Sequence, residues 1–395
     1  MNDPFGFGEI IDRRLVPALK VHPMVLGADG RNLFAAGVAD MDFRAPPAVL
    51  DAIKQRAAQG VFGYEAVPDG LMPALLTWLR DRHNWFVDPV YILRAPNVLN
   101  SLAMAANLFT KPGDGVIVQP PVFFDFADII TENGRRVVSN PLVLAEGRYG
   151  MDFDGLRRLA ADPRNTMLFL CNPHNPVGRV WTADELAELG TICRNHGVLV
   201  VSDEIHGDIT FRGHPYTPFA ALSDADAMNS ITCLSPAKSF NIAACCTAFT
   251  IVADPARRVA FKAENSRLTV NKNNAFASVA MEAAYRDGAP WLKAASDYIA
   301  QNVALVRAAL QDLDGITLIE PEGTFLCWLD FRALGLSPDE LTQFLRAQAG
   351  WAITRGIAFG AEGAGFARLN VACPRSKLVT ALASLAKAMA AQQKM

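Results

Sequence analysis

The stretch from Thr166 to His206, TMLFLCNPHNPVGRVWTADELAELGTICRNHGVLVVSDEIH, decides the fold. It opens on the apolar run Thr166–Cys171, which reads as a strand covered on both faces. A helical pattern follows over Thr182–His196, and its start is marked by Thr182 and Glu185 at capping-box spacing. Val198–Ser202 is a second buried strand. Strand, helix and strand in immediate succession argue for parallel pairing, with the helix crossing over one face of a sheet.

The same alternation extends outward. Gly115–Gln119, Arg136–Ser139, Ser230–Leu234 and Thr247–Val252 read as further strands, so the fold is predicted to be α/β with a mostly parallel sheet. Nearer the C-terminus the chain changes character. Helical patterns at Trp291–Leu313, Pro338–Ala349 and Ser376–Gln393 leave room only for the short strands Thr324–Asp330 and Ala367–Ala372. That composition predicts a smaller α+β domain shared with the N-terminal segment. The expected division is 46–285 for the large domain, with 1–45 plus 286–395 for the small one.

Composition narrows the function. Across 395 residues, 51% are hydrophobic and 19% charged, which permits a large core and excludes disorder as the main state. With 37 Lys+Arg against 40 Asp+Glu, the net charge of -3 offers no electrostatic footprint for nucleic acid. The uncharged run Ala95–Thr110 falls short of a membrane span, and the N-terminus lacks a secretory pattern. A cytoplasmic protein with a small-molecule partner is expected, with no nucleic acid and no membrane. Seven cysteines without a Cys-x-x-Cys spacing read as buried reduced thiols, and the histidines show no metal-ligand spacing, so no metal is expected.

Ligands of open parallel sheets bind beyond the carboxyl ends of the strands. There the sequence places Asn172-Pro-His-Asn175, Ser202-Asp203-Glu-Ile-His206 and Ser235-Pro-Ala-Lys238. Taken singly, Lys238 reads as a surface lysine and Asp203 as a turn residue. Asp203-Glu-Ile-His206 resembles a helicase box, yet the chain contains no Gly-Lys dipeptide and hence no phosphate loop; a G-x-G-x-x-G fingerprint is absent too. Taken together, an amine, an anion, a neutral amide and a helix start are what pyridoxal phosphate needs. The amine forms a Schiff base, the anion keeps the ring nitrogen protonated, the amide meets the phenolic oxygen, and the helix start binds phosphate.

The chain resembles the fold-type I pyridoxal-phosphate enzymes of the aminotransferase class I/II superfamily (aspartate aminotransferase-like). Within them it is most similar to the PatB/MalY-type cystathionine β-lyases. The residues carrying the match are Ala39–Phe43, Phe62–Tyr64, Lys111–Asp114, Asn172–Thr182, Ser202–Asp208, Ser235–Ala243, Glu322–Thr324 and Phe366–Arg375. The resemblance implies that Lys238 binds the cofactor and shuttles the Cα proton. It implies that Asp203 pairs with the ring nitrogen, that Asn175 holds the phenolic oxygen with His206 nearby, and that Phe123 stacks on the ring. Val98, Leu99 and Ser235 would cradle the phosphate next to Asn97, and Arg368 would bind the substrate carboxylate with help from the Ala39 backbone and Asn175. Tyr64 would reach the neighbouring site of a homodimer, where it would also meet the substrate.

Three departures stand out. Asn97 replaces a glycine and is expected to take the left-handed backbone that Asn tolerates. Phe123 replaces a tyrosine, so stacking survives while a hydroxyl near the leaving group is lost. Third, Glu65 and Ala244 replace Thr and Gly, and Glu65 is expected either at the site mouth or as a solvated loop carboxylate. The expected reaction is β-elimination from an L-cysteine conjugate, giving thiol, pyruvate and ammonia. Transamination between an amino acid and a keto acid is the alternative.

Overall fold

The computed structural model describes residues 3–28 and 30–392. Seven strands build the main sheet: β1 (Ile92–Ala95), β2 (Gly115–Val118), β3 (Arg136–Ser139), β4 (Asn165–Cys171), β5 (Leu199–Asp203), β6 (Ser230–Leu234) and β7 (Ala248–Ile251). Their order is β1-β7-β6-β5-β4-β2-β3. The pairs from β6 to β3 are parallel, whereas β7 is antiparallel to both of its neighbours. The sheet is thus mostly parallel, as predicted, with one strand reversed. Strand β1 escapes the sequence pattern because it is four residues long with Arg94 inside it. The direction of β7 escapes because an apolar run looks the same read either way.

Alternation along β4 shows why its run is continuous. Met167, Phe169 and Cys171 join the apolar layer on one face of the sheet, and Leu168 and Leu170 join the layer on the other. The helix Ala183–His196 starts with a reciprocal cap, in which Glu185 N donates to Thr182 Oγ1 at 3.2 Å and Thr182 N donates to Glu185 Oε2 at 2.8 Å. It ends at Gly197, whose φ of 70° is left-handed.

The C-terminal sheet is antiparallel throughout: β8 (Thr317–Ile319), β9 (Leu326–Asp330), β10 (Thr354–Arg355) and β11 (Phe366–Asn370), in the order β8-β9-β11-β10. The predicted strand Thr324–Asp330 is shortened because Thr324 is left-handed, with φ 67°. The predicted helix from Pro338 changes to a π-helical stretch at Phe344–Gln348. The last helix runs Arg375–Gln392, and its predicted end at Gln393 lies outside the described residues. Near the N-terminus Phe34 and Ala35 pair in parallel with Trp351 and Ala352. A continuous apolar core runs from Phe7 and Phe43 through the helices Leu71–His83, Ala275–Asp287 and Ala289–Leu310 to the C-terminal sheet. Five of the seven cysteines are buried as predicted, but Cys245 is half-buried and Cys246 exposed; all are free thiols. No described helix is long and apolar enough to cross a membrane.

Trp181 braces the loop beyond β4. It is fully buried, its Nε1 donates to Cys171 O at 3.0 Å, and the Arg179 guanidinium lies 4.5 Å from its ring. Trp181→Ala removes this packing and leaves the carbonyl unpaired, so it is expected to cost about 3–5 kcal/mol, read as a lower urea midpoint.

Candidate functional site

Because β1 to β6 run in one direction, the segments that follow them all emerge on one edge of the sheet, and β7 enters from that edge. Asp203 is the last residue of β5; it is buried, and its Oδ1 accepts from Ile205 N at 3.1 Å. His206 is buried against the edge of Phe325, and its Nδ1 has no partner among the described residues. Beyond β6, Ser235 caps the turn Pro236–Ser239 by accepting from Ala237 N at 3.1 Å, while its hydroxyl donates to Thr247 O at 2.6 Å. That turn carries Lys238, whose Nζ donates to Ala39 O at 2.6 Å.

Ala39 sits in a strap, residues 37–43, held from both sides. Asn370 Nδ2 donates to Val38 O at 2.7 Å and to Asp40 O at 2.6 Å. Asn241 accepts from Met41 N at 2.9 Å and donates to Met41 O and Phe43 O at 3.0 and 2.8 Å. Beneath it, Lys20 pairs with Asp42 at 2.9 Å, and Arg13 makes a bidentate pair with Asp40 at 2.8 and 2.6 Å. Arg368 reaches the same strap from β11: it is 2% exposed, and Nη2 donates to Gly37 O at 2.8 Å. Its Nη1 donates to Asn175 Oδ1 at 2.9 Å, its Cζ lies 4.8 Å from the Phe359 ring, and its Nε is unpartnered. Among the described residues no carboxylate pairs with it.

Burial sets the electrostatics. Removal from water lowers the Lys238 amine to about 8, and the Arg368 charge pushes the same way against Asp40, Asp203 and Asp125. Burial raises Asp203 to about 6, opposed by the Ile205 amide and the Lys238 charge. It lowers Arg368 to about 9 and holds His206 well below the usual histidine range, where Lys238 and Arg368 push it further down.

The helix Val98–Phe109 begins on this edge with Val98 buried and Leu99 half-buried, and Ser101 Oγ meets Thr250 Oγ1 of β7 at 2.7 Å. The expectation for Asn97 is corrected here. Its backbone is extended, φ −165°, and its role is carried by the side chain, which accepts from Asn100 N at 2.7 Å as an N-cap. Phe123 packs against Phe124 at 4.9 Å and Phe126 at 6.2 Å. Tyr64 lies outside this assembly within the chain, with its side chain fully exposed. Glu65 is a partly exposed loop carboxylate that pairs with Arg56. Ala244 lies in the turn Ala243–Cys245 just before Cys246 and Thr247.

Three supporting residues, Asn241, Asn370 and Asp208, are absent from the predicted set. Asp208 accepts from Trp78 Nε1 at 2.9 Å, meets His83 Nε2 at 2.8 Å, and accepts from Ser239 Oγ at 2.7 Å, next to Lys238. Burial works against its charge, but His83 and Arg82 hold it down at about 2. Only its place in the Ser202–Asp208 motif could have flagged it.

Residues 33–385 match the family described as aminotransferase class I and II. The chain belongs to this family. It is 42% identical to cystathionine β-lyase PatB of Bacillus subtilis over 89% of this chain and 91% of the relative. Among solved structures it resembles cystalysin from Treponema denticola, described with a pyridoxal 5'-phosphate cofactor, with a TM-score of 0.93 and 31% identity over 98% and 99% of the two chains. The pyridoxal-phosphate-bound C–S lyase from Staphylococcus hominis gives a TM-score of 0.90 and 29% identity over 98% of both chains. In this aminotransferase class I and II member the fold-type I arrangement accounts for the shared edge.

Next to Asp203, Glu204 is buried and accepts from Ser202 Oγ at 2.7 Å, Phe219 N at 2.9 Å and the Tyr216 hydroxyl. Burial raises it to about 7, against the pull of those donors. A carboxyl raised in the folded state holds its proton longer than in the unfolded chain, so stability falls as pH rises from its ordinary value near 4.5 to about 7. Glu204→Gln is expected to flatten the melting temperature across pH 5 to 7 compared with wild type. An unchanged pH slope would refute the assignment.

Proposed function

We propose that this chain is a pyridoxal-phosphate-dependent lyase that cleaves the Cβ–S bond of L-cysteine conjugates such as cystathionine, releasing thiol, pyruvate and ammonia. The observation that carries the proposal is the pairing of Lys238 with the carboxylate-free Arg368 around one strap. It offers a base for Cα and a guanidinium for the α-carboxylate of the same amino acid. The family's lyase relatives support the choice of reaction.

The donors fit the cofactor. Asp203 is a buried anion whose described hydrogen bond uses Oδ1, His206 Nδ1 is an orphaned buried atom, and the start of Val98–Phe109 presents free backbone amides. Asp203 would hold the ring nitrogen, Asn175 the phenolic oxygen, and Val98, Leu99 and Ser235 the phosphate, with Phe123 against the ring. When bound, pyridoxal phosphate supplies a sink for the electron pair left at Cα. Arg368 anchors the α-carboxylate in a fork, beside the Ala39 backbone. Lys238 Nζ, held near 8, takes the Cα proton. Loss of the sulfur from Cβ as a thiolate, and hydrolysis of the three-carbon fragment after release, would give the thiol, pyruvate and ammonia.

The exposed cluster of Val61, Phe62, Tyr64 and Val67 supports a homodimer in which Tyr64 completes the neighbouring site. Pairing of residues 34–35 with 351–352 supports a small domain made of 1–45 and 286–395 beside a large one at 46–285. We assign the protein to the cytoplasm as a metabolic enzyme.

With L-cystathionine and no keto acid, the loaded protein is expected to release thiol and pyruvate continuously and in equal amounts. A halt after one turnover would favour transamination. Lys238→Ala is expected to abolish both products and the visible band of the bound cofactor. Arg368→Lys, which replaces a fork by a point charge, is expected to raise KM about tenfold or more.

A further inference from the structure

The turn that carries Lys238 rests on a carboxylate that the proposed reaction does not otherwise use. Asp208 follows β5, and its side chain is 10% exposed. Its Oδ1 accepts from Trp78 Nε1 at 2.9 Å and meets His83 Nε2 at 2.8 Å, both on the helix Leu71–His83. Arg82 of the same helix donates from Nη2 to Asp208 O at 2.8 Å and brings Nε to 3.3 Å from Oδ1. One helix therefore occupies Oδ1. The hydrogen-bond partner of Oδ2 among the described residues is Ser239 Oγ, at 2.7 Å, and Ser239 is buried.

Tying the helix to the segment beyond β5 needs Oδ1 alone. Oδ2 does something more, because Ser239 follows Lys238 directly and ends the four-residue turn Pro236–Ser239. A single helical turn is unstable by itself, so outside contacts must set its position. At its start Ser235 accepts from Ala237 N at 3.1 Å and donates to Thr247 O at 2.6 Å. At its end the contacts lead back to the helix Leu71–His83. Asp208 holds Ser239, and the next residue, Phe240, is buried with its ring edgewise to Trp78 at 5.4 Å. Burial works against the Asp208 charge, and His83 and Arg82 keep it ionised. The solvation lost in burying that charge is returned as a charge-assisted hydrogen bond, stronger than one to a neutral carbonyl.

We propose that Asp208 is a positioning residue for Lys238: acting through Ser239, it fixes the turn from which Nζ reaches first the Ala39 carbonyl and then the reacting Cα. The helix Leu71–His83 is then a second support of the lysine, besides the strap at residues 37–43. The proposal rests on the pyridoxal-phosphate lyase reading, in which Lys238 binds the cofactor and takes the Cα proton.

Ser239→Ala deletes the hydroxyl that links the two residues, and Asp208→Asn removes the charge. One measurement is kcat and KM for pyruvate release from L-cystathionine. The other is the rate at which the visible band grows when pyridoxal phosphate is returned to protein stripped of it. Each variant is expected to lower kcat and the growth rate about tenfold, with KM changed less than about twofold because Arg368 is untouched. The double variant is expected to match the slower single one, since both changes break one link. A Ser239→Ala variant with wild-type kcat and band growth would overturn the proposal, whatever its melting temperature. So would a double variant slowed about a hundredfold, the product of two independent effects. Should Asp208→Asn fail to fold, Ser239→Ala decides by itself. If wild type releases no pyruvate, the lyase reading fails instead, and band growth, which does not depend on the fate of the substrate, still decides for or against Asp208.

Discussion

An arginine buried without a carboxylate partner among the described residues is the constraint around which this site is built. Taking a guanidinium out of water is costly unless its donors are met and its charge is balanced. Arg368 meets neutral acceptors, Asn175 Oδ1 and Gly37 O, and the face of Phe359, and it keeps Nε unmatched. The fold supplies geometry and leaves the counter-charge to a ligand. Under the proposed reaction an amino acid's carboxylate would complete it, and stability withheld from the free protein would become affinity for the substrate.

The other features follow from holding that cation in register. Arg368 lies on β11, Asn175 beyond β4 and Gly37 in the N-terminal strap, so three distant parts of the chain meet at one side chain. The strap is fixed independently by Asn370 and Asn241 and by the ion pairs of Arg13 and Lys20. Its carbonyl at Ala39 then sets where Lys238 rests. On the opposite side, Asp208 grips Ser239, so the lysine's turn is pinned from below as well as above. A short turn of four residues could not hold a lysine in place by itself.

What was legible in the sequence and what was not divides on physical grounds. Lys238, Asp203 and Asn175 stand directly after apolar runs, where a parallel sheet exposes its ligand edge, so pattern and position alone single them out. Arg368 enters only through the family resemblance, because a lone charge in a short strand has no local meaning. Asn241, Asn370 and Asp208 sit in equally visible motifs, but their meaning depends on partners such as Met41, Val38 and His83, which are 200, 332 and 125 positions away. Local patterning carries no trace of such pairings. Asn97 shows the converse error: the residue type fits a left-handed turn and an N-cap equally well, and the structure uses the cap.

The loop carrying Asn175 has one more property. Arg179 donates to Glu322 at 2.9 Å and also forks onto Glu185, while Glu322 N and Gly323 N both donate to Gly178 O. Gly178 has φ 75° and leaves no room for a side chain against Pro321. This clamp joins the large sheet to the C-terminal part at a point that does not yield. The loop that bears Asn175 is thereby tied to Glu322 and Gly323, the residues just before β9. Because Arg368 donates to Asn175, the spacing between the two is set by the same clamp that joins β4 to the start of β9, as a latch sets the gap between two panels.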